Sequence, residues 1–178
     1  FYKAAGCLTC SGLTILNADI NSRTDGIGID AYIVADAFSG RLPTSKRREK
    51  FESQFKLALT GELDLDKMVA TQRKRIKYKG GSSGTIEPTV STRQFHEFYN
   101  VIEVTAEDDL GVLYTVTKTL TEMGLDIWIA RVFTEMGAVV DTFFVAEIEG
   151  SKIEDPERLD SVREELVAAI KRDATPSV

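Results

Sequence analysis

Phe1-Tyr2-Lys3-Ala4-Ala5-Gly6-Cys7-Leu8-Thr9 has an echo far along the chain, in Leu113-Tyr114-Thr115-Val116-Thr117-Lys118-Thr119-Leu120-Thr121. At this offset Tyr2, Leu8, Thr9, Gly12, Leu13, Ile15 and Ala18 meet identical residues at Tyr114, Leu120, Thr121, Gly124, Leu125, Ile127 and Ala130. One extra residue in the next turn moves the register by one, and Gly26, Asp30 and Val34 then meet Gly137, Asp141 and Val145. Identities in register, broken by a single indel at a turn, mark a tandem duplication. A duplicated chain of 178 residues reads as two small domains of like fold, residues 1–93 and 94–178.

The second copy shows the element order most clearly. Tyr99 to Thr105 is β-branched and strand-like, and a loop follows over Ala106–Gly111. Leu113, Val116, Leu120 and Met123 then fall on one face of a helix, with Gly124 placed as the left-handed residue that ends it. Ile127–Thr134 and Ala138–Ile148 are two strands turning at Glu135-Met136-Gly137. Asp155-Pro156 supplies an N-cap and a proline at the first helical position, and Leu159, Val162, Leu166 and Ile170 form the buried stripe of a last helix. The order β-α-β-β-α predicts an α+β fold of two ferredoxin-like units, antiparallel sheets with helices on one face.

The first copy repeats the series from its helix onward. Phe1–Ser11 is the helix, and Thr14–Ser22 and Ile27–Asp36 are the hairpin, turning at Thr24-Asp25-Gly26. A second helix spans about Lys46–Leu59, its apolar content extended by Leu63, Leu65, Met68 and Val69. Gln72–Gly84 reads as linker, and Thr85–Thr92 as a closing strand. The strand that should precede Phe1 is not in the sequence. A central strand cannot be lost without leaving backbone groups unpaired, so residues upstream of Phe1 are expected.

Composition narrows the class. Hydrophobic residues make up 43% and charged residues 28%, a globular balance. No apolar run is long enough for a membrane-spanning helix. The net charge of −6 hides a basic first copy and an acidic second. The basic runs Lys46-Arg47-Arg48 and Arg73-Lys74-Arg75, with Lys77 and Lys79, read as solvated surface or as docking elements for an acidic surface, the second copy included. A pI near 5.0 argues against nucleic acid as a partner.

The remaining candidate chemistry is thin. Cys7-Leu8-Thr9-Cys10 is a Cys-x-x-Cys, but it lies within a helix and lacks two further ligands; free thiols in the core or on the helix surface, in a reducing, cytoplasmic setting, are the plainer reading. His96, the single histidine, sits beside Phe95 and Phe98 before a strand, which suits a surface or a domain junction. Gly26-Ile27-Gly28 and Gly80–Gly84 lack the endings of nucleotide-binding loops. Asp108 with Asp109 reads as an exposed acidic loop. No nucleophile–base pair emerges, so the chain is expected to catalyse nothing itself, and neither metal nor cofactor is expected.

The segment Val101-Ile102-Glu103-Val104-Thr105-Ala106-Glu107-Asp108-Asp109-Leu110-Gly111-Val112-Leu113, with Gly124-Leu125-Asp126-Ile127 and Val140-Asp141-Thr142-Phe143-Phe144-Val145, resembles ACT domains. Taken as a pair, the two copies are most similar to the C-terminal regulatory pair of the protein-PII uridylyltransferase/uridylyl-removing enzymes. That resemblance implies a βαββαβ fold, allosteric regulation in nitrogen metabolism, and an amino acid, glutamine, bound between domains. Its partners would be that ligand and the catalytic domains of a parent enzyme, with a homodimer left open. The ligand residues it implies are Asp108, Asp109, Leu110, Gly111 and Val112, facing Asp126 and Ile127. The family loop usually reads Asp–basic–Pro–Gly, whereas this one has Asp109 and Leu110 at the middle positions. The altered loop and the opposite charges of the copies leave a second reading, an ACT-type interaction or dimerisation module without ligand.

Overall fold

The structure, a computed structural model, describes residues 1–22, 25, 27–75, 86–94, 97–135 and 137–174. The elements run α1 (Tyr2–Cys10), β1 (Leu13–Ser22), β2 (Gly28–Asp36), α2 (Ser45–Thr60), α3 (Leu65–Arg75), β3 (Thr89–Arg93), β4 (Asn100–Glu107), α4 (Val112–Glu122), β5 (Leu125–Glu135), β6 (Ala138–Glu147) and α5 (Pro156–Ala174). All pairings are antiparallel and the α+β architecture is the expected one. The strands form one six-stranded sheet in the order β2-β1-β5-β6-β4-β3, so the two copies share a sheet.

The seam is where β1 meets β5. Asn17 lies opposite Phe133, Asp19 opposite Arg131 and Asn21 opposite Ile129. Asn21 and Ile129 are the repeat equivalents of Phe133 and Asn17, so the register maps onto itself when the copies are exchanged. That self-consistency is the mark of an isologous contact. Asp19 and Arg131, equivalents of each other, sit at its centre. The β-bulges are duplicated as well: β1 slips register between Ile15 and Asn17, β5 between Ile127 and Ile129. A bulge bends its strand and increases twist, here at the same place in both copies. Above the seam α1 crosses α4, and the rings of the equivalent Tyr2 and Tyr114 meet at 6.2 Å between centroids. Gly6 permits the crossing, because a Cβ there would lie 2.8 Å from the Tyr114 ring.

Strand alternation sets the core. Val139, Asp141, Phe143 and Val145 of β6 point under the helices, and Phe143 and Val145 are wholly buried with Leu120, Val116 and Leu166 from above. Asn100, at the start of β4, has its amide spent on Ile153, donating to its carbonyl at 3.1 Å and accepting from its N–H at 2.6 Å. Gly124 and Gly137 hold the positive φ values their turns require, +77° and +82°.

Three expectations change. The apolar run after Thr60 does not extend the second helix: Gly61 ends α2 at φ +79°, and Leu65, Met68 and Val69 belong to a separate α3. Gln72 to Arg75 is the last turn of that helix and not linker; residues 76–85, with Lys77, Lys79 and Gly80–Gly84, fall outside the described residues, as do Thr24, Gly26, Phe95, His96 and Met136. The closing strand exists as Thr89–Arg93 but lies against β4 of the second copy. β4 is central and has two edges to satisfy; β6 takes one and β3 the other.

Of the basic runs, Arg73 crosses to the second copy, bridging Asp173 on α5 at 2.6 Å, while Arg47 stays within the first copy and pairs with Asp36. Cys7 and Cys10 are buried free thiols, and burial pushes them up to about 11 and about 12. Thiols so far from ionising at neutral pH are packing groups. Among the described residues no helix is long and apolar enough to cross a membrane.

Candidate functional site

The loop Asp108–Val112 of the second copy, at the N-terminus of α4, lies beside the start of β1 at Thr14 and Ile15, and the start of β5 at Asp126 and Ile127 lies beside Phe1 and Tyr2 at the N-terminus of α1. The loop is closed by its own backbone. Asp108 N–H donates to the Gly137 carbonyl at 2.9 Å, Leu110 N–H to Asp109 Oδ1 at 2.7 Å, and Val112 N–H to the Asp109 carbonyl at 3.2 Å. Gly111 forms the helix N-cap at φ +86°, a conformation that favours glycine, and no side chain caps α4.

The loop is also held from outside by α3. Arg73 donates from Nε to the Leu110 carbonyl at 2.8 Å and from Nη2 to Thr115 Oγ1 at 2.9 Å, while Nη1 bridges Asp173. Thr115 in turn donates to the same Asp173 carboxylate. Asp66, in the first turn of α3, accepts from Tyr114 Oη at 2.9 Å and from Lys118 Nζ at 2.6 Å. The connecting helix is thereby tied to both ends of the first turns of α4.

Two cavities lie at the seam. The first, about 30 Å³, is lined by the whole loop Asp108 to Val112 together with Thr14, Ile15, Thr134 and Asp141. The second, about 400 Å³, is lined by Phe1, Tyr2, Asp30, Asp126, Ile127 and Ile148. They are counterparts: Thr14, Ile15 and Asp141 are the repeat equivalents of Asp126, Ile127 and Asp30. The implied ligand residues are therefore not all brought together. Asp108, Asp109, Leu110, Gly111 and Val112 face Thr14 and Ile15, and Asp126 and Ile127 stand in the other cavity. The reason is the seam, which sets the start of β1 beside the loop of the second copy and the start of β5 beside Phe1 and Tyr2 at the N-terminus of α1.

Asp141 and Thr134 are functional candidates that sequence reasoning did not select. Asp141 is 1% exposed, accepts a weak bond at Oδ1 from Phe133 N–H at 3.4 Å, and has no partner at Oδ2. Thr134 Oγ1 is buried without a partner too. Burial, with the Asp108 charge adding to it against the Phe133 bond, raises the Asp141 carboxyl to about 7. The signal was legible: a charged residue in an inward position of an alternating strand, kept in both copies of the repeat. Among the described residues no group of three His, Cys, Asp or Glu side chains is arranged to hold a metal.

Comparison with curated proteins returns one description repeatedly. A bifunctional uridylyltransferase/uridylyl-removing enzyme of Rhodospirillum rubrum is 32% identical over 170 residues, covering 96% of this chain and 18% of that protein. Enzymes of the same description from Gluconobacter oxydans and Azospirillum brasilense are 31% and 30% identical over 176 residues, with the same coverage. The chain is homologous to one segment of the bifunctional uridylyltransferase/uridylyl-removing enzymes. It spans about 18% of the length of those relatives, so the duplicated sheet and its seam correspond to a small part of a uridylyltransferase/uridylyl-removing enzyme. No protein-family model matches the chain.

Proposed function

We propose that this chain is the amino-acid-sensing regulatory module of a uridylyltransferase/uridylyl-removing enzyme, with L-glutamine as its ligand and the parent enzyme's catalytic domains as its partners in nitrogen regulation. The observation that carries this reading is the pair of counterpart cavities at the seam, one of them lined by the entire loop Asp108–Val112 at the start of α4. A helix N-terminus presents backbone N–H groups and a partial positive charge, which suit an α-carboxylate. A ligand bridging the loop of one copy and the strand start of the other touches both units, which is what a sensor of their arrangement requires.

Isothermal titration with L-glutamine and the other protein amino acids is the test. Saturable binding supports the sensor, and a folded sample with no heat from any of them removes it.

A second reading, an ACT-type interaction or dimerisation module, is favoured by a different observation. Ile29, Ile33, Phe133 and Val140 are exposed on the sheet face away from the helices, between 48% and 62% accessible. Sedimentation at several protein and salt concentrations separates the two: self-association without any amino-acid response supports this second reading.

A further inference from the structure

The two copies treat their shared aspartate differently. In the first copy Asp30 accepts a hydrogen bond at 3.0 Å from the hydroxyl of Tyr32, two residues on along β2. In the second copy the corresponding ring is Phe143, which has no hydroxyl, and Asp141 Oδ2 is left without a partner in the core. Thr134 Oγ1, equally unpartnered, lines the same cavity. A buried carboxylate and a buried hydroxyl lacking partners cost free energy that the fold does not recover from within. Their cavity, at about 30 Å³, is the size of one water or one ammonium group.

We propose that Asp141 Oδ2 and Thr134 Oγ1 form the receptor for the ligand's ammonium group, which makes Asp141 a specificity-determining residue of the first cavity. This inference rests on the amino-acid-sensing reading above and assigns it atoms. The ammonium fills this cavity, which holds no more than such a group, and the rest of the ligand extends out of it past the loop, its carboxylate towards the α4 N-terminus.

The surroundings favour a cation at this point. Asp108 and Asp109 line the cavity from the loop and Thr14 from β1. The cross-strand neighbour on β4 is Val104, and Val132 lies alongside on β5, neither of them charged. Arg131 of β5 and Glu107 of β4 occupy alternate positions, which face the other side of the sheet. Arg73 reaches the loop from α3, where its guanidinium is spent on the Leu110 carbonyl, Thr115 and Asp173. In the proposed pose the positive end of α4 faces the ligand's carboxylate.

Near neutral pH part of the Asp141 population is protonated. Arrival of an ammonium favours the carboxylate, so the carboxyl proton passes to the buffer as the ion pair forms, and charge and protons balance. Binding is then expected to release a fraction of a proton and to tighten as pH rises from 6 to 8.

The test uses the full-length protein, the isosteric D141N variant, and two probes, L-glutamine and 4-carbamoylbutanoate, the same molecule without its ammonium. The inference expects D141N to weaken L-glutamine at least tenfold. It expects 4-carbamoylbutanoate to be affected less than threefold, and the buffer-dependent part of the binding enthalpy to vanish. F143Y, which supplies the hydroxyl that Tyr32 provides in the first copy, is expected to weaken L-glutamine in the same sense. Unchanged L-glutamine affinity in D141N, with no proton release in the unsubstituted protein, overturns the inference and leaves the cavity to solvent, while the sensor reading stands. If the unsubstituted protein binds neither L-glutamine nor any other protein amino acid, the sensor reading fails and this inference with it.

Discussion

Arg73 Nε, on the helix that connects the two copies, donates to the carbonyl of Leu110 at 2.8 Å in the loop of the second copy. The same guanidinium reaches Thr115 and Asp173, so one side chain joins α3, the loop, α4 and α5. Its side chain is 18% exposed, which lifts it above the ordinary surface ion pair.

Removing that fork has a measurable cost. Arg73→Ala leaves the Leu110 carbonyl without its side-chain donor and the Asp173 carboxylate without its cation, held by Thr115 alone among the described residues, and is expected to destabilise the fold by about 1–3 kcal/mol. Arg73→Lys keeps the charge but not the three-way geometry and is expected to recover part of the loss. Urea denaturation of both variants checks this; equal stability of Arg73→Ala and the unsubstituted protein would refute it.

Gly111 and Gly124 share a left-handed backbone but not the same space. At Gly111 a Cβ would lie 3.1 Å from Arg73 Nη2 and 3.2 Å from Val69 Cγ1; at Gly124 nothing lies within 4 Å. Gly124→Ala is expected to cost about 1 kcal/mol from backbone strain alone. Gly111→Ala is expected to cost at least that and to loosen the Arg73 clasp as well. Thermal unfolding of the two variants side by side reads the difference.

Gly6 should break the usual rule for helix interiors. Alanine in place of a helical glycine ordinarily stabilises by roughly 0.5–1 kcal/mol. Here its Cβ would sit 2.8 Å from the Tyr114 ring, and overpacking of this kind costs about 1–3 kcal/mol. Gly6→Ala is therefore expected to lower the unfolding midpoint, and a raised midpoint would show that α1 and α4 are less tightly crossed.

Asp141 predicts a pH profile of stability. Its carboxyl is raised in the folded state from 3.8 to about 7, so the folded protein holds a proton that the unfolded chain has lost. The favourable contribution is complete below about pH 4 and is lost as pH rises through 7; the gap corresponds to on the order of 4 kcal/mol. D141N cannot ionise and is expected to be the more stable protein at pH 8, with the difference shrinking towards pH 5. Parallel slopes for the two proteins between pH 5 and 8 would contradict it.

The buried thiols give a kinetic check. With Cys7 raised to about 11 and Cys10 to about 12, thiolate is scarce at neutral pH and access is closed. Labelling by a disulfide reagent is expected to be slower in the folded protein than in denaturant by about two orders of magnitude or more. Rapid labelling of either cysteine under native conditions would overturn the packing assignment.

The local elements were legible because their signals are local. Apolar spacing at Leu113, Val116 and Leu120, the turn glycines, and Asp155 before Pro156 each fix backbone conformation within a few residues. Asp155 Oδ1 does accept the Glu157 N–H at 3.0 Å. The repeat placed both copies in one register. What the repeat could not show was how the copies join, because hydrogen bonding between β1 and β5 leaves no compositional trace. For that reason the sequence sets Asp126 and Ile127 against the loop of their own copy, and gives a closing strand at Thr85–Thr92 without showing that β4 is its neighbour. Asp141 was visible as an identity of the repeat, but its missing partner depends on Phe143 standing where Tyr32 stands, which is a fact about packing.

The unbroken sheet limits what a bound metabolite could do to this module. β1 and β5 are locked along five registered residue pairs from Asn17–Phe133 to Asn21–Ile129, so a swing of one half against the other would break the hydrogen-bonded ladder at the middle of the sheet. The compliant coordinate that remains is torsion: a ribbon with twin bulges beside its midline can wind or unwind slightly as a whole. A message entering at the midline would then leave through the rims, as a change in pitch at β2 and β3.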